Sequence, residues 1–409
     1  MTWQNGIKGF QEQLNRNISE LNNGQYPPHW IHFLQYVDKI KHKIKRVVDL
    51  GCGVGIYKPL LERHYPELEY IGIDFAPEAI KIAKNQWNAP NSFKQLDIFD
   101  LEKDFFRLTD VVVLNGILDI MEDSLKLTKF IFEFNLLHLI LQRVHITDGP
   151  TECDKYQAYS DIESYDCKVN KNAFESLLEE YCYKYEKQQV IDHYNYLLTS
   201  NKQLAFIHLP KTAGTFIGEL AKLNNSMHIH GHKSIRDIDK PYKYINIGFV
   251  RNPWDWHVSR YFYLCQRVDN VSNRKILEQG ISINNDYGLS SIELREKYPT
   301  LCDYICNYKS SMSNRFWMSD IYNYMFYDLD RKYYIDFIGK IENLNEDLSY
   351  IYKHLDIELP EPTPYIKENC TNKSKHEHYS VYYDDKLIDM IYNKEFDIID
   401  RYGYTFERP

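Results

Sequence analysis

A short apolar run meets a loop of small and hydroxylated residues in the stretch Phe206-Ile207-His208-Leu209-Pro210-Lys211-Thr212-Ala213-Gly214-Thr215-Phe216. A helical pattern of apolar residues then begins at Ile217. The order of strand, loop and helix predicts an α/β unit whose helix N-terminus, with one lysine and two hydroxyls, binds a phosphate or sulfate group. Because Lys211 precedes Gly214, the loop lacks the order GxxxxGK(S/T), and a magnesium-dependent NTPase is not favoured.

The length and composition describe a soluble globular protein with room for two domains. The chain has 409 residues, of which 44% are hydrophobic and 26% charged, so two separate cores can form. Its formal net charge of -9 disfavours a general nucleic-acid binder, because phosphate backbones need a basic surface. The N-terminus lacks a basic segment with an apolar core, and no apolar run approaches the ~20 residues of a membrane span. We therefore expect a cytoplasmic protein without a membrane partner.

The cysteine pattern predicts reduced thiols. The eight cysteines, at positions 52, 153, 167, 182, 265, 302, 306 and 370, are scattered and form no CxxC pair. This scatter favours free thiols over a disulfide framework or a zinc site.

The first half of the chain alternates strand and helix patterns. A buried-strand run at residues 46–50 leads into a glycine turn at residues 51–55, and a second strand at residues 70–73 ends at Asp74. A third apolar stretch leads to residues 96–98, and residues 110–116 supply a fourth strand. Such alternation predicts a doubly wound parallel sheet whose ligand lies at the carboxyl ends of the strands.

The glycine spacing separates two classes of nucleotide-binding enzyme. A glycine turn followed by an acidic strand end leaves a dinucleotide dehydrogenase open, because such a carboxylate binds a ribose diol. The order here is G-x-G-x-G instead of G-x-G-x-x-G, and Asp49 lies inside the first strand. Over roughly residues 30–200 the chain resembles the class I S-adenosylmethionine-dependent methyltransferases.

That resemblance implies a set of cofactor contacts. In the family, the D-L-G-C-G-x-G segment surrounds the methionine part of S-adenosylmethionine, and the acidic end of the second strand holds the ribose. An aspartate after the third strand contacts the adenine amine, and the end of the fourth strand lies near the cofactor. The matching residues are Asp49, Gly51, Gly53, Gly55, Asp74, Asp97 and Asn115.

No general base for methyl transfer is evident in the sequence. Asp119, His145 and Asp148 stand near strand ends, where an acceptor would lie, but helix caps and core edges use the same residue types. Methyl transfer chiefly needs alignment of the nucleophile with the methyl group and the sulfonium. The missing base therefore does not exclude the activity.

A second anion-binding element follows in the second half. The strand pattern at residues 244–250 runs into Arg251, and the next helix pattern carries Ser259. Arginine offers a fork of donors and serine a hydroxyl, so the two can bind a second phosphate together. Two anion sites in one pocket suggest a nucleotide with phosphates at two positions.

This pair of elements resembles the sulfotransferases that use 3'-phosphoadenosine 5'-phosphosulfate (PAPS), particularly the heparan-sulfate 2-O-sulfotransferase-like branch. The resemblance covers about residues 204–408. It implies that Arg251 and Ser259 bind the 3'-phosphate and that the loop with Lys373 closes over the cofactor. The residues matching the 5'-phosphosulfate loop are Lys211, Thr212, Ala213, Gly214 and Thr215.

A histidine-rich stretch, residues 228–232, lies between the two anion-binding elements. Its H-x-H-x-H order also suits a metal ion, but in the resembling branch an H-G-H triplet supplies the base that deprotonates the acceptor hydroxyl. The second histidine of that triplet corresponds to His232, and His230 is the alternative; no metal site is predicted. We expect His232 to take the proton while Lys211 stabilises charge on the departing phosphate.

Both resemblances together predict a bifunctional enzyme that transfers a methyl group from S-adenosylmethionine and a sulfuryl group from PAPS. The expected acceptor is a hydroxyl of one glycan or small natural product, or of one pathway; no nucleic-acid partner is expected, and the oligomeric state is open. The alternative is a sulfotransferase whose N-terminal domain binds S-adenosylmethionine only as a scaffold. A glycan-binding protein with two vestigial sites and a P-loop kinase fit the retained residues less well.

The predicted fold class is α/β in two three-layer domains. A helical lead-in covers about residues 1–45, residues 172–185 predict an amphipathic helix, and residues 194–199 predict the last, antiparallel strand of the first sheet. The domains are predicted at residues 1–200, with a Rossmann-like methyltransferase sheet, and at residues 204–409, with a P-loop-like sulfotransferase sheet.

Overall fold

The computed structural model describes residues 3, 6–266, 291–307, 316–329, 332–363, 366 and 376–408. The chain divides into two compact units, Met1–Lys202 and Gln203–Pro409. None of the helices in these described ranges combines the length and the apolar character that crossing a membrane requires.

The first unit contains a mixed sheet covered by helices. Its helices are α1 (Ile7–Asn23), α2 (Pro28–Ile40), α3 (Tyr57–His64), α4 (Pro77–Gln86), α5 (Ser124–Phe132) and α6 (Lys171–Glu180). Its strands are β1 (Arg46–Leu50), β2 (Glu69–Asp74), β3 (Phe93–Gln95), β4 (Asp110–Asn115), β5 (His138–Thr147), β6 (Glu152–Tyr159), β7 (Ile162–Asn170), β8 (Tyr183–Val190) and β9 (His193–Ser200).

Strand order creates a ligand-binding crevice at the end of β1. The parallel part of the sheet runs β3-β2-β1-β4-β5, so the chain leaves β1 to build β2 on one side and β4 on the other. Such a switch point opens a crevice at the carboxyl ends of the strands. All five residues of β1 are buried, as expected of a parallel strand covered on both faces.

The end of the first sheet is antiparallel. Strand β9 pairs antiparallel with β5, and β8 pairs antiparallel with β9. The predicted last strand at residues 194–199 is therefore confirmed. The helix predicted at residues 172–185 is too long, because α6 ends at Glu180 and Cys182 has a left-handed φ of 56°. Pairing of β8 with β9 over eight residues outweighs the local helical pattern there.

Cysteines 153 and 167 form a disulfide, so the prediction of reduced thiols is wrong for this pair. They face each other across the antiparallel strands β6 and β7, with Cα atoms 4.1 Å apart. Their spacing in the sequence carries no disulfide signal, because the hairpin register alone brings them together. The other described cysteines form no disulfide.

The second unit is built on a four-stranded parallel sheet of order β11-β10-β12-β13. Its strands are β10 (Gln203–Ile207), β11 (Met227–Gly231), β12 (Tyr244–Val250) and β13 (Phe337–Lys340). Its helices are α7 (Gly214–Lys222), α8 (Pro253–Gln266), α9 (Ser291–Lys297), α10 (Leu301–Asn307), α11 (Met318–Phe326), α12 (Leu344–His354), α13 (Asp385–Lys394) and α14 (Phe396–Tyr402). The prediction of two α/β domains is confirmed.

A buried carboxylate joins distant helices of the second unit. Glu395, between α13 and α14, accepts hydrogen bonds from the backbone N–H groups of Met318 and Ser319 at 2.7 and 2.8 Å. It also accepts one from His257 Nε2 of α8 at 2.8 Å. Burial lowers the pKa of His257, and the bond to Glu395 opposes that shift. This clamp fixes α8, which carries Ser259, against the C-terminal helices.

We predict that the buried ion pair between β1 and β4 stabilises the first sheet. Arg46 Nε donates to Asp110 Oδ1 at 2.9 Å, and both side chains are almost fully buried. In Arg46→Met the carboxylate stays buried without its guanidinium, and the local opening free energy should fall by roughly 3–5 kcal/mol. Amide hydrogen exchange in β1 and β4 measures this quantity.

The matched control is Arg107→Met, which removes an exposed partner of Glu69 at 3.0 Å. Exposed pairs contribute less than about 1 kcal/mol. Equal exchange rates in the two variants would contradict the prediction, because the buried pair would then contribute no more to the opening free energy than the exposed pair.

Candidate active sites

The loop between β10 and α7 has the backbone of an anion cradle. Lys211 and Ala213 both lie in the left-handed region, with φ of 66° and 59°. Ala213 is also the N-cap of α7 and provides no side-chain cap to its first N–H groups. Left-handed residues interleaved with others direct successive N–H groups into one concavity, and a helix N-terminus adds its dipole. The loop can therefore bind a phosphate or sulfate.

Buried contacts hold this loop in place. The Thr212 hydroxyl is buried and donates to the Leu209 carbonyl at 2.6 Å. Trp256 Nε1 of α8 donates to the Pro210 carbonyl at 2.8 Å. A Cβ on Gly214 would lie 2.0 Å from the His208 ring, so this position requires glycine. Thr215, in the first turn of α7, is exposed.

Two cationic side chains lie beside the loop. Arg251 Nη1 donates to Ser259 Oγ at 2.9 Å and reaches the Lys211 carbonyl at 3.5 Å, while Arg251 Nε donates to Asp255 at 2.7 Å. Lys211 Nζ lies 3.9 Å from the ring centroid of Tyr263. The structure thus brings Lys211, Arg251 and Ser259 together, because β10 and β12 are parallel neighbours whose carboxyl ends meet.

Burial and the charge of Arg251 lower the pKa of Lys211 to about 8. Two neighbouring cations destabilise each other, and a bound anion relieves that repulsion. The pocket is therefore poised for an anion. Lys373 lies outside the described residues.

His232 carries the features of a general base. Its Nδ1 donates to the His208 carbonyl at 2.9 Å, which leaves Nε2 unprotonated and able to accept a proton. Burial lowers its pKa, although the bond to His208 opposes that shift. A neutral imidazole with a fixed tautomer suits proton abstraction from a hydroxyl.

His208 links the base to the anion loop, and reasoning from the sequence missed this role. Its ring stacks on His232, with centroids 4.3 Å apart, and also lies against Gly214. Burial, with the charges of His232 and Lys211, lowers its pKa to about 3, so it stays neutral. No sequence signal identified it, because the contact depends on the register of β10 against β11.

His230 points to different neighbours from His232. Its ring packs against His228 and Tyr244 with centroid distances of 4.5 and 5.3 Å. Burial first, then His228 and Lys233, lowers its pKa to about 4. Among the described residues, the group of metal-capable side chains lies elsewhere, at His145, Asp192 and His193, and not in this histidine-rich stretch.

The glycine turn of the first unit lies at the switch point after β1. Gly51, Gly53 and Gly55 have left-handed φ values of 70°, 52° and 73°. A Cβ on Gly55 would lie 2.3 Å from the Phe93 ring, so a side chain there is excluded by both space and backbone. The turn therefore leaves bare backbone at the crevice, where a ligand can approach closely.

Two buried carboxylates flank the turn. Asp74 accepts hydrogen bonds from the N–H groups of Gly53 and Ala76 at 2.8 and 2.9 Å, and so ties the turn to the end of β2. Asp49 accepts one from the Tyr70 hydroxyl at 2.8 Å. Burial raises the pKa of Asp49 to about 7; Tyr70 opposes that shift and the charge of Asp74 adds to it. Asp97 is exposed and instead caps Phe99 N at 2.9 Å.

Two unpartnered acceptors at this crevice suit a ligand that carries several hydrogen-bond donors, as S-adenosylmethionine does. Asn115 Oδ1 and Gln13 Oε1 are buried without a hydrogen-bond donor among the described residues. Gln13 Oε1, on α1, lies 2.9 Å from the position that a Cβ would take on Gly53. Helix α1 therefore covers the turn. The ligand offers donors on its ammonium group, ribose and adenine. Gln13 was missed because an amphipathic helix pattern does not reveal what its polar side chains cover.

Side chains that could meet an acceptor line the edge beyond β4 and β5. Gly116 packs against the guanidinium of Arg143, which occupies the space of a Cβ. Burial raises the pKa of Asp119, and the charges of Arg143 and His145 oppose that shift. Asp148 is exposed. The structure thus brings Asp119 and His145 together and does not assign a role to Asp148.

Comparisons with known proteins agree with this division. Residues 41–209 match the model of a methyltransferase domain, and residues 194–405 match the model of the sulfotransferase family. The secondary metabolism regulator laeA of Coprinopsis cinerea is 27% identical over 166 residues, which cover 40% of this chain and 36% of the relative. The malonyl-(acyl-carrier protein) O-methyltransferase of Anoxybacillus flavithermus is 30% identical over 79 residues, or 19% and 30% of the two chains.

The chain spans about a third of the length of these curated relatives. Among solved structures, an S-adenosylmethionine-dependent methyltransferase from Clostridium acetobutylicum shares 13% identity with a TM-score of 0.34. That match covers 46% of this chain and 98% of the other.

We predict that nucleotide binding by the second unit weakens as the pH rises through about 8. The free Lys211 loses its proton near that pH, and only the protonated form attracts the anion. The affinity for 3'-phosphoadenosine 5'-phosphate, measured by calorimetry from pH 6.5 to 9.5, should fall up to tenfold per pH unit above this value. Arginine keeps its charge throughout, so Lys211→Arg should flatten the profile.

The control variant is Lys222→Ala, at an exposed lysine of α7 that pairs with Glu219. It should retain the pH dependence of the wild type. A wild-type affinity that stays constant up to pH 9.5 would contradict the role of Lys211.

Proposed function

We propose that this chain, which belongs to the sulfotransferase family through residues 194–405, is a two-site transferase. Its other site lies in the methyltransferase domain at residues 41–209. One site transfers a methyl group from S-adenosylmethionine and the other a sulfuryl group from PAPS. The observation that carries the proposal is the assembly of Lys211, Arg251 and His232 around one loop, with His208 in contact with both the loop and the base.

The sulfuryl site is proposed to act by in-line displacement. PAPS supplies the sulfuryl group on a phosphate leaving group. His232 Nε2 takes the proton of the acceptor hydroxyl as the new oxygen–sulfur bond forms and the bond from sulfur to the phosphate oxygen breaks. Lys211 and the loop N–H groups then stabilise the charge that develops on that phosphate oxygen. Arg251 and Ser259 hold the 3'-phosphate and set the direction of attack.

The methyl site is proposed to act chiefly by alignment. S-adenosylmethionine supplies an activated methyl group. The glycine turn with Asp74 holds the ribose and methionine parts, and the unpartnered oxygens of Asn115 and Gln13 accept hydrogen bonds from the ligand. The carboxyl edge of β4 and β5 then receives the acceptor.

The acceptor is proposed to be a hydroxyl compound, either a glycan or a small natural product. An alcohol is a weak nucleophile until its proton is removed, and the neutral base His232 serves that need. Both groups are proposed to go to one acceptor or one pathway, since two sites on one chain raise the effective concentration of the second site for the first product. Candidate acceptors offered with labelled methyl and sulfuryl donors would identify it.

We predict that single substitutions separate the two activities. His232→Ala should lower the sulfation rate by about 10²–10⁴-fold, the usual contribution of a general base, and Lys211→Ala should abolish sulfation. Both variants should methylate at the wild-type rate. Asp74→Ala should show the reverse, because it loses the turn that holds S-adenosylmethionine. Incorporation of the two labels, measured side by side, reads out both activities.

The matched control is His228→Ala, at an exposed histidine of the same strand β11 as His230. It should leave both activities unchanged. Retained binding of 3'-phosphoadenosine 5'-phosphate by Asp74→Ala, and of S-adenosylhomocysteine by His232→Ala, confirms that each variant is folded. Loss of both activities in each folded variant would refute the two-site model.

A further inference from the structure

A cluster of histidines and carboxylates at the acceptor edge of the first unit is not used by the proposed mechanism. His145, Asp192 and His193 each offer one metal-ligand atom, and these atoms lie within 4.8 Å of one another. Two ligand atoms on one divalent ion lie at most about 4.4 Å apart, because each bond is about 2.0–2.2 Å long. Small rotations of these side chains would therefore complete a site.

The sheet positions this cluster. Strand β9 pairs antiparallel with β5 at Val144 and Tyr194, so the next residues, His145 and His193, become neighbours. Their rings stack with centroids 5.6 Å apart and planes 17° apart. His193 Nδ1 and the Asp192 carboxylate lie 3.0 Å apart, which is the spacing of two adjacent ligands on one ion. An ion would take the place of the proton shared between them.

A further carboxylate orients His145 from behind. The Asp166 carboxylate, on β7, lies 3.0 Å from His145 Nδ1, close enough to accept a hydrogen bond when that nitrogen carries the proton. The Nε2 atom of His145 is then left with a free lone pair. Histidines that bind metals usually donate their other ring N–H to a carboxylate in this way.

An unsatisfied buried oxygen points to a missing cation. Asp119 Oδ1 is buried without a hydrogen-bond donor among the described residues, and the charges of His145 and His193 act on this carboxylate. The carboxylates of Asp119, Asp166 and Asp192 thus lie around the imidazole rings of His145 and His193. A buried carboxylate oxygen without a donor is costly, and a nearby divalent ion would compensate it.

We propose that His145, Asp192 and His193 bind a divalent transition-metal ion at the acceptor edge of the first unit. Imidazole and carboxylate together suit Zn²⁺, Co²⁺ and similar ions better than Mg²⁺ or Ca²⁺. Three protein ligands leave a position open, as in catalytic rather than structural sites. Asp192 is 71% exposed, so this position is reachable from solvent.

The open position would take the acceptor oxygen. This part of the inference rests on the proposed methyl transfer. Coordination would lower the pKa of a bound hydroxyl, so that a weak base such as a carboxylate could take its proton. Asp119 Oδ1 would take the proton of the hydroxyl as the oxygen–carbon bond forms and the sulfur–methyl bond breaks. The sulfonium thereby becomes the neutral thioether of S-adenosylhomocysteine.

The test measures metal binding directly on the full chain, without turnover. The protein is stripped with a chelator and titrated with Co²⁺, whose visible absorption reports coordination by nitrogen and oxygen, and with Zn²⁺ by calorimetry. We expect one ion per chain. His145→Ala and His193→Ala should each weaken binding at least 100-fold, and Asp166→Asn should weaken it about 10–100-fold, as expected for a carboxylate that only orients a ligand.

The matched control is His228→Ala, in the other histidine-rich stretch, which should bind Co²⁺ like the wild type. S-adenosylhomocysteine binding shows that each variant is folded. No Co²⁺ binding by folded wild type, or binding that is lost in His228→Ala and retained in His145→Ala, would overturn the proposal. Metal binding without any methyl transfer would instead refute only the proposed function.

Discussion

Both candidate sites depend on one backbone constraint, which is the left-handed φ that the chain must adopt where it leaves a parallel strand. After β1 glycines meet this requirement, at Gly51, Gly53 and Gly55. After β10, Lys211 and Ala213 adopt the left-handed conformation instead. For a residue other than glycine, this conformation costs roughly 1–2 kcal/mol of conformational free energy. Buried hydrogen bonds from Thr212 and Trp256 hold that strained loop closed. Strain at this position exposes N–H groups to an anion and places Lys211 beside it.

Charge organisation in the second unit follows from the same loop. Asp255 and Ser259 orient Arg251, and burial together with the charge of Arg251 lowers the pKa of Lys211. Two cations are therefore held close together before any ligand arrives. Burial lowers the pKa of His232, and the hydrogen bond to the His208 carbonyl sets its tautomer. The His208 ring lies beside Gly214 and stacks on His232, so it connects the loop with that second histidine. The loop with its two cations and the His232 ring are thus joined by one set of contacts.

The first unit places its chemistry at the edge of a sheet whose last strands are antiparallel. Helix α1 covers the glycine turn, with Phe10 and Leu14 packed on Val54, Ala76 and Ala79. The hairpin of β6 and β7 carries the disulfide and also binds the backbone carbonyl of Asp119 through Cys167 N at 2.7 Å. The edge of the sheet at Asp119 is therefore fixed by elements that lie beyond the parallel core.

The sequence by itself determined the features that depend on neighbouring residues. The glycine turn, the strands at residues 46–50 and 110–116, the anion loop and the division into two α/β domains all follow from local patterns of apolar, small and turn-forming residues. Only the tertiary structure decided what stacks, pairs or covers across distance: His208 on His232, Gln13 over Gly53, Glu395 on three distant donors, and Cys153 opposite Cys167. The length of α6 was decided in the same way, by the pairing of β8 with β9. The physical reason is that strand register and helix packing join residues far apart in the chain, and a local pattern carries no information about which of them will meet.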